Sequence, residues 1–212
     1  MSNESVASNP FDEIYRTNFW GYGSGEGSLE INTRAYRGYL GCFLRERGVR
    51  SIVDMGCGDW QFSQLVEWGN RDYRGYDVAT SVIEKNRETH AKAGVSFHHY
   101  SGDPDELPSA DLLIAKDVLQ HVPNSTVAAT LRNLPRYRFA LLTNCIAPYG
   151  DTVNNDIEAG DFRYLDLTKK PFNLVATEVL RFNNYRHPLK ALFRRPRWTK
   201  HVLLATRNTS AL

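Results

Sequence analysis

The sequence predicts an α/β fold, a mostly parallel sheet with helices wound on both faces. Three observations predict it. Short apolar runs of strand length, Ser51–Met55 ("SIVDM"), Asp111–Lys116 ("DLLIAK") and Phe139–Asn144 ("FALLTN"), alternate with stretches of helical periodicity. The first run ends in a glycine turn, "GCG", at the place where an open sheet keeps its ligand. Two late strand-like runs, Asn173–Phe182 and Thr199–Arg207, have no clear helix between them, which suggests an antiparallel hairpin closing one edge.

Taken in order, residues 1–12 read as a loose lead-in, and Asn18–Ser28 ("NFWGYGSGEGS") as an irregular lid loop, too rich in glycine for a regular element. Leu29–Arg47 reads as a helix with Ile31, Tyr36, Leu40, Phe43 and Leu44 on one face, stopped by Gly48. Strand Ser51–Met55, helix Phe62–Trp68, strand Tyr73–Val78, helix Ser81–Ala93 and strand Val95–Tyr100 follow. After the buried strand Asp111–Lys116 comes a helix at Asn124–Leu134, capped by Asn124 or Ser125, and then the strand Phe139–Asn144. Between the late strands lies a basic, proline-broken segment that contributes to a cluster of Lys190, Arg194, Arg195, Arg197 and Lys200, read as a solvated face. Nothing splits the chain. The expectation is a single domain over 1–212, with a lid loop and helix in 1–47 and the core in 48–212.

The totals exclude several classes. A net charge of +2 does not argue for nucleic acid. Three cysteines, Cys42, Cys57 and Cys145, with no CxxC, fit neither a disulfide framework nor a zinc site, so a reducing, cytoplasmic setting is expected. The start "MSNESVASNPFDE" is polar and acidic, unlike a signal peptide, and no apolar run nears the roughly 20 residues of a membrane span.

The glycine loop narrows the ligand. It has no lysine for a phosphate-cradling GxxxxGK[ST] loop, and Gln61 stands where a dinucleotide fingerprint needs its third glycine. Asp54 and Asp59 put negative charge where a pyrophosphate would sit. They suit instead a ligand that joins an adenosine to a positively charged part. Asp77, ending "GYD", lies about 20 residues past the loop, where a carboxylate reaches ribose hydroxyls. Asp103, in "SGDPDE", stands where it can accept from an adenine amino group.

"VDMGCGD", "GYDV" and "GDPDELPSADLLIAKDVLQHV" together resemble the class I S-adenosylmethionine-dependent methyltransferases over about Ser51 to Asn144. The resemblance implies a Rossmann-like, doubly wound, mostly parallel seven-stranded sheet with an antiparallel C-terminal hairpin strand, and S-adenosylmethionine as cofactor. Carried over, Gly56 and Gly58 face the methionine part, Asp77 binds the ribose, and Asp103 lies near the adenine. Asp54 and Asp59 match acidic positions of the first motif. Trp60, Val78, Lys116 and Asp117 flank these motifs and join the expected cofactor contacts, with Trp60 read as pocket wall or as the core side of the next helix.

Methyl transfer to a hydroxyl needs alignment and a base. "AKDVLQHVP" brings Lys116, Asp117, Gln120 and His121 to one rim. Either His121, which titrates near neutrality when unperturbed, or Asp117 can be that base. Asp117, Asn144 and Asp156 hold too few carboxylates at metal spacing, so no metal is expected. For the acceptor, two segments stand out: the lid with Trp20, Tyr22 and Ser24, and the long aperiodic stretch Tyr149–Leu174 with Asn155, Arg163 and Tyr164, joined by Gln120 and Asn144 at the rim. The polar groups of that stretch suit a small molecule or saccharide. A looser resemblance to small bacterial saccharide and secondary-metabolite O-methyltransferases points the same way. Methylation of nucleic acid or protein, a nicotinamide-dependent oxidoreductase and a non-catalytic cofactor-binding module remain as rivals. A homodimer is left open.

Overall fold

The computed structural model describes residues 9–184 and 198–207. Seven strands form one sheet: β1 (Ser51–Met55), β2 (Asp72–Asp77), β3 (Val95–His99), β4 (Ala110–Lys116), β5 (Tyr137–Ile146), β6 (Thr177–Asn184) and β7 (Trp198–Thr206). Their order is β3-β2-β1-β4-β5-β7-β6. The first five pair in parallel, while β7 is antiparallel to both β5 and β6. The late hairpin is therefore present, with β7 threaded between β5 and β6. β6 begins later than expected because Asn173, at φ 47°, still belongs to the preceding turn.

Each central strand feeds two cores. Ile52, Leu112, Ile114, Phe139 and Leu141 point to one face, where α2 (Glu30–Glu46) covers them with Tyr36, Leu40, Phe43 and Leu44, and α3 (Thr80–His90) adds Ile83. Val53, Met55, Leu113, Ala115, Ala140 and Leu142 point to the other, under Val127 of α4 (Asn124–Arg132) and under Leu165 and Leu167. This alternation follows from the two-residue period of a strand. Ile31, expected on the buried face of α2, is 65% exposed, because 3.6 residues per turn carry it to the side opposite Tyr36.

Three other expectations are corrected. Pro10–Thr17, placed partly in the lead-in, is a helix, α1: Asn9 caps it, Pro10 opens it, and Asp12 and Glu13 lie in its first turn. The helix expected at Phe62–Trp68 is only a single 3-10 turn at Ser63–Leu65. Trp60, Phe62, Val66 and Trp68 are all buried, and one helical face cannot carry them all inward. The open trace lets Trp68 pack tilted against Tyr73, with ring centroids 4.4 Å apart. α4 is capped by neither Asn124 nor Ser125; the Asp156 carboxylate accepts the Asn124 N–H at 2.7 Å.

Among the described residues no helix is long and apolar enough to cross a membrane. Of the basic cluster, Lys190, Arg194, Arg195 and Arg197 lie outside the described residues. Lys200 is not on a solvated face: it is buried on β7.

Asp54, the last residue but one of β1, is buried and accepts a hydrogen bond of 2.5 Å from Tyr73. Burial pushes its pKa up to about 7, against the Tyr73 hydroxyl and the charge of Lys116. With a folded pKa above the unfolded one, the native state holds the extra proton. Stability from this group is therefore lost as pH rises from about 4 to 7, at no more than about 1.4 kcal/mol per pH unit. Asp54→Asn removes this dependence, so urea denaturation at pH 5 and pH 8 should show the variant losing less stability over that interval than the parent.

Candidate active site

The carboxyl ends of β1, β2 and β4 surround a cavity of about 460 Å³. Its back wall is the turn after β1. Gly56 and Gly58 lie in left-handed conformations, at φ 70° and 56°. The N–H groups of Gly56 and Cys57 both donate to the Tyr76 carbonyl, at 2.7 and 3.0 Å. The Gly58 N–H donates to Asp77 Oδ2 at 2.9 Å, and Asn86 Nδ2 donates to the Gly58 carbonyl at 2.7 Å. A Cβ on Gly56 would lie 2.3 Å from Val118, and one on Gly58 would lie 2.3 Å from Ser24. Both glycines are thus required by conformation and by space.

Asp77 also accepts the Ala79 N–H at 3.0 Å. Burial raises its pKa, opposed by these backbone donors. A carboxylate has about four acceptor sites, so the backbone donors do not use all of them and capacity remains for a ligand in the cavity. Val78, Tyr100, Ser101 and Gly102 continue this wall.

The front wall is the lid. Asn9 Nδ2 donates to the Val78 carbonyl at 2.8 Å. Ser24 Oγ donates to Asp59 Oδ1 at 2.6 Å, the Asp59 N–H donates to Ser24 Oγ at 3.0 Å, and Tyr15 Oη lies 2.9 Å from the same hydroxyl. Asp59 Oδ2 takes the Ser24 N–H and Gln61 Nε2 at 3.2 and 2.7 Å. Trp20 packs edge-on to Tyr15 and tilts over His121, with centroids 5.0 Å apart. Asp59, expected at the cofactor, is therefore the clasp between lid and glycine loop.

At the far end, Asp117 sits at φ 63° between two buried lysines, with Lys116 Nζ at 2.7 Å and Lys200 Nζ at 2.5 Å. Burial alone would raise the Asp117 pKa, but the two ammonium groups overcome it and hold the carboxyl well below its usual range. Lys116 also donates to the Gly27 carbonyl at 3.1 Å and lies 4.8 Å over the Phe62 ring.

His121 lines the cavity next to this pair. Its Nδ1 lies 2.7 Å from the Asp161 carbonyl, which places the proton on Nδ1 and leaves a lone pair on Nε2. Gln120 accepts the Cys145 N–H at 2.7 Å, and its amide nitrogen approaches His121 Nε2 at 3.3 Å. Burial drives the His121 pKa down to about 4, against the Asp161 carbonyl and the Asp117 charge. The imidazole is neutral at pH 7 and able to accept a proton.

Gly56, Gly58, Asp59, Asp77, Val78, Lys116, Asp117, His121, Trp20 and Ser24 thus meet around one cavity. The other expected site residues do not line it. Asp54 and Trp60 lie behind the wall, Trp60 against Tyr73 and Phe97. Asp103 turns away to cap the Pro104–Glu106 turn. Tyr22 is 64% exposed. Asn144 is buried under the sheet end, and Gln120 orients its neighbour. Arg163 is buried and donates to the carbonyls of Asn155 and Val122 at 3.0 and 2.8 Å, while Tyr164 packs on Phe162. Sequence reasoning missed Asn9, Phe11 and Tyr15 of the lid, although Asn-Pro followed by two acids signals a helix start. It also missed Lys200, whose pairing with Asp117 across 83 residues leaves no local trace.

The fold is that of the Rossmann-like methyltransferases. Among solved structures, the chain is similar to magnesium protoporphyrin IX methyltransferase of Synechocystis PCC 6803 with bound S-adenosylhomocysteine: 15% identity, TM-score 0.61, over 93% of this chain and 98% of that one. It is also similar to TehB of Haemophilus influenzae, at 12% identity and TM-score 0.56 over 84% and 66%, and to DhpI in its S-adenosylhomocysteine complex, at 12% and 0.54 over 92% and 97%. No protein-family model matches the chain. No curated protein matches it by sequence.

Gly58→Ala should cost about 1–2 kcal/mol for the left-handed backbone and also unseat Ser24. Ser24→Ala unseats the lid without that strain. Limited proteolysis should cut residues 10–28 faster in both variants, with a clear fall in melting temperature only for Gly58→Ala.

Proposed function

We propose that the protein is an S-adenosylmethionine-dependent methyltransferase acting on a hydroxyl of a small molecule. One observation carries the reading: a single cavity joins two left-handed glycines and the Asp77 carboxylate at one end to a neutral histidine at the other. Solved neighbours of the same fold that hold the cofactor or its product add support.

The residues fit that cofactor. Gly56 and Gly58 leave the backbone bare beside the methionine part. The remaining acceptor sites of Asp77 suit ribose hydroxyls, and Val78 with Tyr100 offers flat apolar walls to an adenine. Carboxylates at Asp59 and Asp77, on the glycine-loop side, suit a cation and oppose a pyrophosphate, which counts against the nicotinamide alternative; the charge of Asp117 is outweighed by its two lysines. Bound S-adenosylmethionine supplies an electrophilic methyl group. The chain aligns the acceptor, removes its proton and excludes water. His121 takes the base role in this reading, since its Nε2 lone pair is free of a proton. Asp117, held as a carboxylate by two lysines, is the weaker base and fixes the charge of the rim. The lid, clasped by Asp59 and Ser24, keeps water out.

Calorimetric titration with S-adenosylhomocysteine tests the cofactor, and failure to bind overturns the reading. His121→Ala should retain that binding while lowering methyl transfer by about 10²–10⁴-fold, the usual contribution of a positioned base. Because His121 protonates only near pH 4, kcat/KM should stay flat from pH 8 to 5 and fall below that. An inflection near pH 6.5 would point to another base.

A further inference from the structure

The rim beside His121 carries a charge that the chain leaves unbalanced. Lys116 and Lys200, both buried, share one carboxylate, Asp117, at 2.7 and 2.5 Å. Among the described residues no second carboxylate pairs with either lysine. Cys145, which Lys200 reaches at 3.1 Å, stays a thiol because burial pushes its pKa up. Asp54, the other acid that feels Lys116, is bonded to Tyr73 and keeps its proton up to about pH 7. One surplus positive charge is thus held away from water, where an unpaired charge is costly. Burial lowers the Lys116 pKa against the pull of Asp117, and Lys200 adds to the lowering.

Unused hydrogen-bonding groups lie at the same place. Asn184, at the end of β6, is fully buried, and neither atom of its amide has a hydrogen-bond partner. Lys200 spends two of its three N–H groups, on Asp117 and Cys145. Both side chains face Gly27. A Cβ there would lie 3.1 Å from Asp117 Oδ2, 3.5 Å from Lys200 Nζ and 3.9 Å from Asn184 Nδ2. Gly27 lies outside the left-handed region, so its backbone does not call for glycine. Its carbonyl accepts from Lys116 Nζ at 3.1 Å. Ser28, the next residue, lines the cavity with Lys116 and Asp117, whereas Lys200 and Asn184 lie behind Gly27.

We infer that this cluster is the subsite for a carboxylate of the acceptor, and that the acceptor is a hydroxy acid. The inference rests on the methyltransferase reading and narrows its substrate. One carboxylate supplies the missing charge, whereas a phosphate monoester, at about −1.5 to −2, overshoots it. The carboxylate replaces the Gly27 carbonyl on Lys116 and takes the spare N–H of Lys200 and the Asn184 amide, as the Glu26–Ser28 turn moves aside. Gly21, Gly23 and Gly25 give the lid the backbone freedom for that movement. The acid is then anchored beside His121, which lines the same cavity as Lys116 and Asp117.

The test is calorimetry on protein saturated with S-adenosylhomocysteine, at about pH 6, where Asp54 is protonated and His121 neutral. The probes are two matched pairs, lactate with lactamide and 3-hydroxybenzoate with 3-hydroxybenzamide; each pair keeps the hydroxyl and removes the charge. At least one acid should bind, about tenfold or more tightly than its amide, the order of one hydrogen bond to a charged group. Asn184→Leu should weaken that acid about tenfold. It should leave S-adenosylhomocysteine affinity unchanged and the melting temperature unchanged or higher, because no hydrogen bond is lost with the amide. Lys200→Met, which leaves Asp117 and Lys116 as a balanced pair, should abolish the preference for acid over amide. Failure of both acids to bind, equal binding of acid and amide, or indifference of the acid to Asn184→Leu overturns the inference while the methyltransferase reading stands. Failure of S-adenosylhomocysteine itself to bind overturns both.

Discussion

The Gly58 peptide is held at both ends. Its N–H lies on the Asp77 carboxylate and its carbonyl takes the Asn86 amide, so the turn after β1 is tied to the end of β2 and to α3. The cavity exists because this turn cannot relax. The lid depends on it in turn, since Asp59, the next residue, is the group on which Ser24 docks. Left-handed backbone at Gly56 and Gly58 favours a residue without a side chain, and Val118 at Gly56 and Ser24 of the lid at Gly58 leave no room for a Cβ. One pinned peptide thus sets the back wall, the front wall and the gap between them.

At the opposite end the organising force is charge. Asp117 is flanked by two buried ammonium groups, an arrangement that costs desolvation and is repaid only by close, well-made contacts. Lys116 adds a carbonyl and a ring face, and Lys200 adds the Cys145 sulfur at 3.1 Å. The carboxylate is locked in one protonation state. The neighbouring histidine is locked in the neutral form by burial and in one tautomer by Asp161. The rim presents fixed charge beside a movable proton, a division of labour suited to proton abstraction.

The strands were legible because Val53, Leu113 and Leu141 lie in short apolar runs that only a sheet covered on both faces can bury. Gly56, Gly58 and Asp77 were legible because turn geometry and spacing leave marks in sequence. The helix at Phe62–Trp68 was misread because its aromatics serve packing around Tyr73 rather than a helical period. Arg163 and Asn155 looked like acceptor ligands because residue type does not disclose where a hydrogen bond goes; backbone carbonyls take the guanidinium, and one of them belongs to Asn155. Lys200 was read as surface charge because its partner is distant in the chain. Pairings of that kind are absent from any local window.

β7 carries a consequence for how the molecule is assembled. It fills the gap between β5 and β6, and neither neighbour has the other to pair with. During synthesis β6 emerges from the ribosome before β7, its partner among the described residues, and β5 waits with the edge that β7 covers still open. When β7 arrives it closes the sheet and, through Lys200, delivers the second counter-ion of Asp117. Completion of the fold and placement of the second lysine are one event, so a chain arrested before Trp198 would leave Asp117 paired with Lys116 alone, without the net positive charge that the finished rim carries beside the histidine.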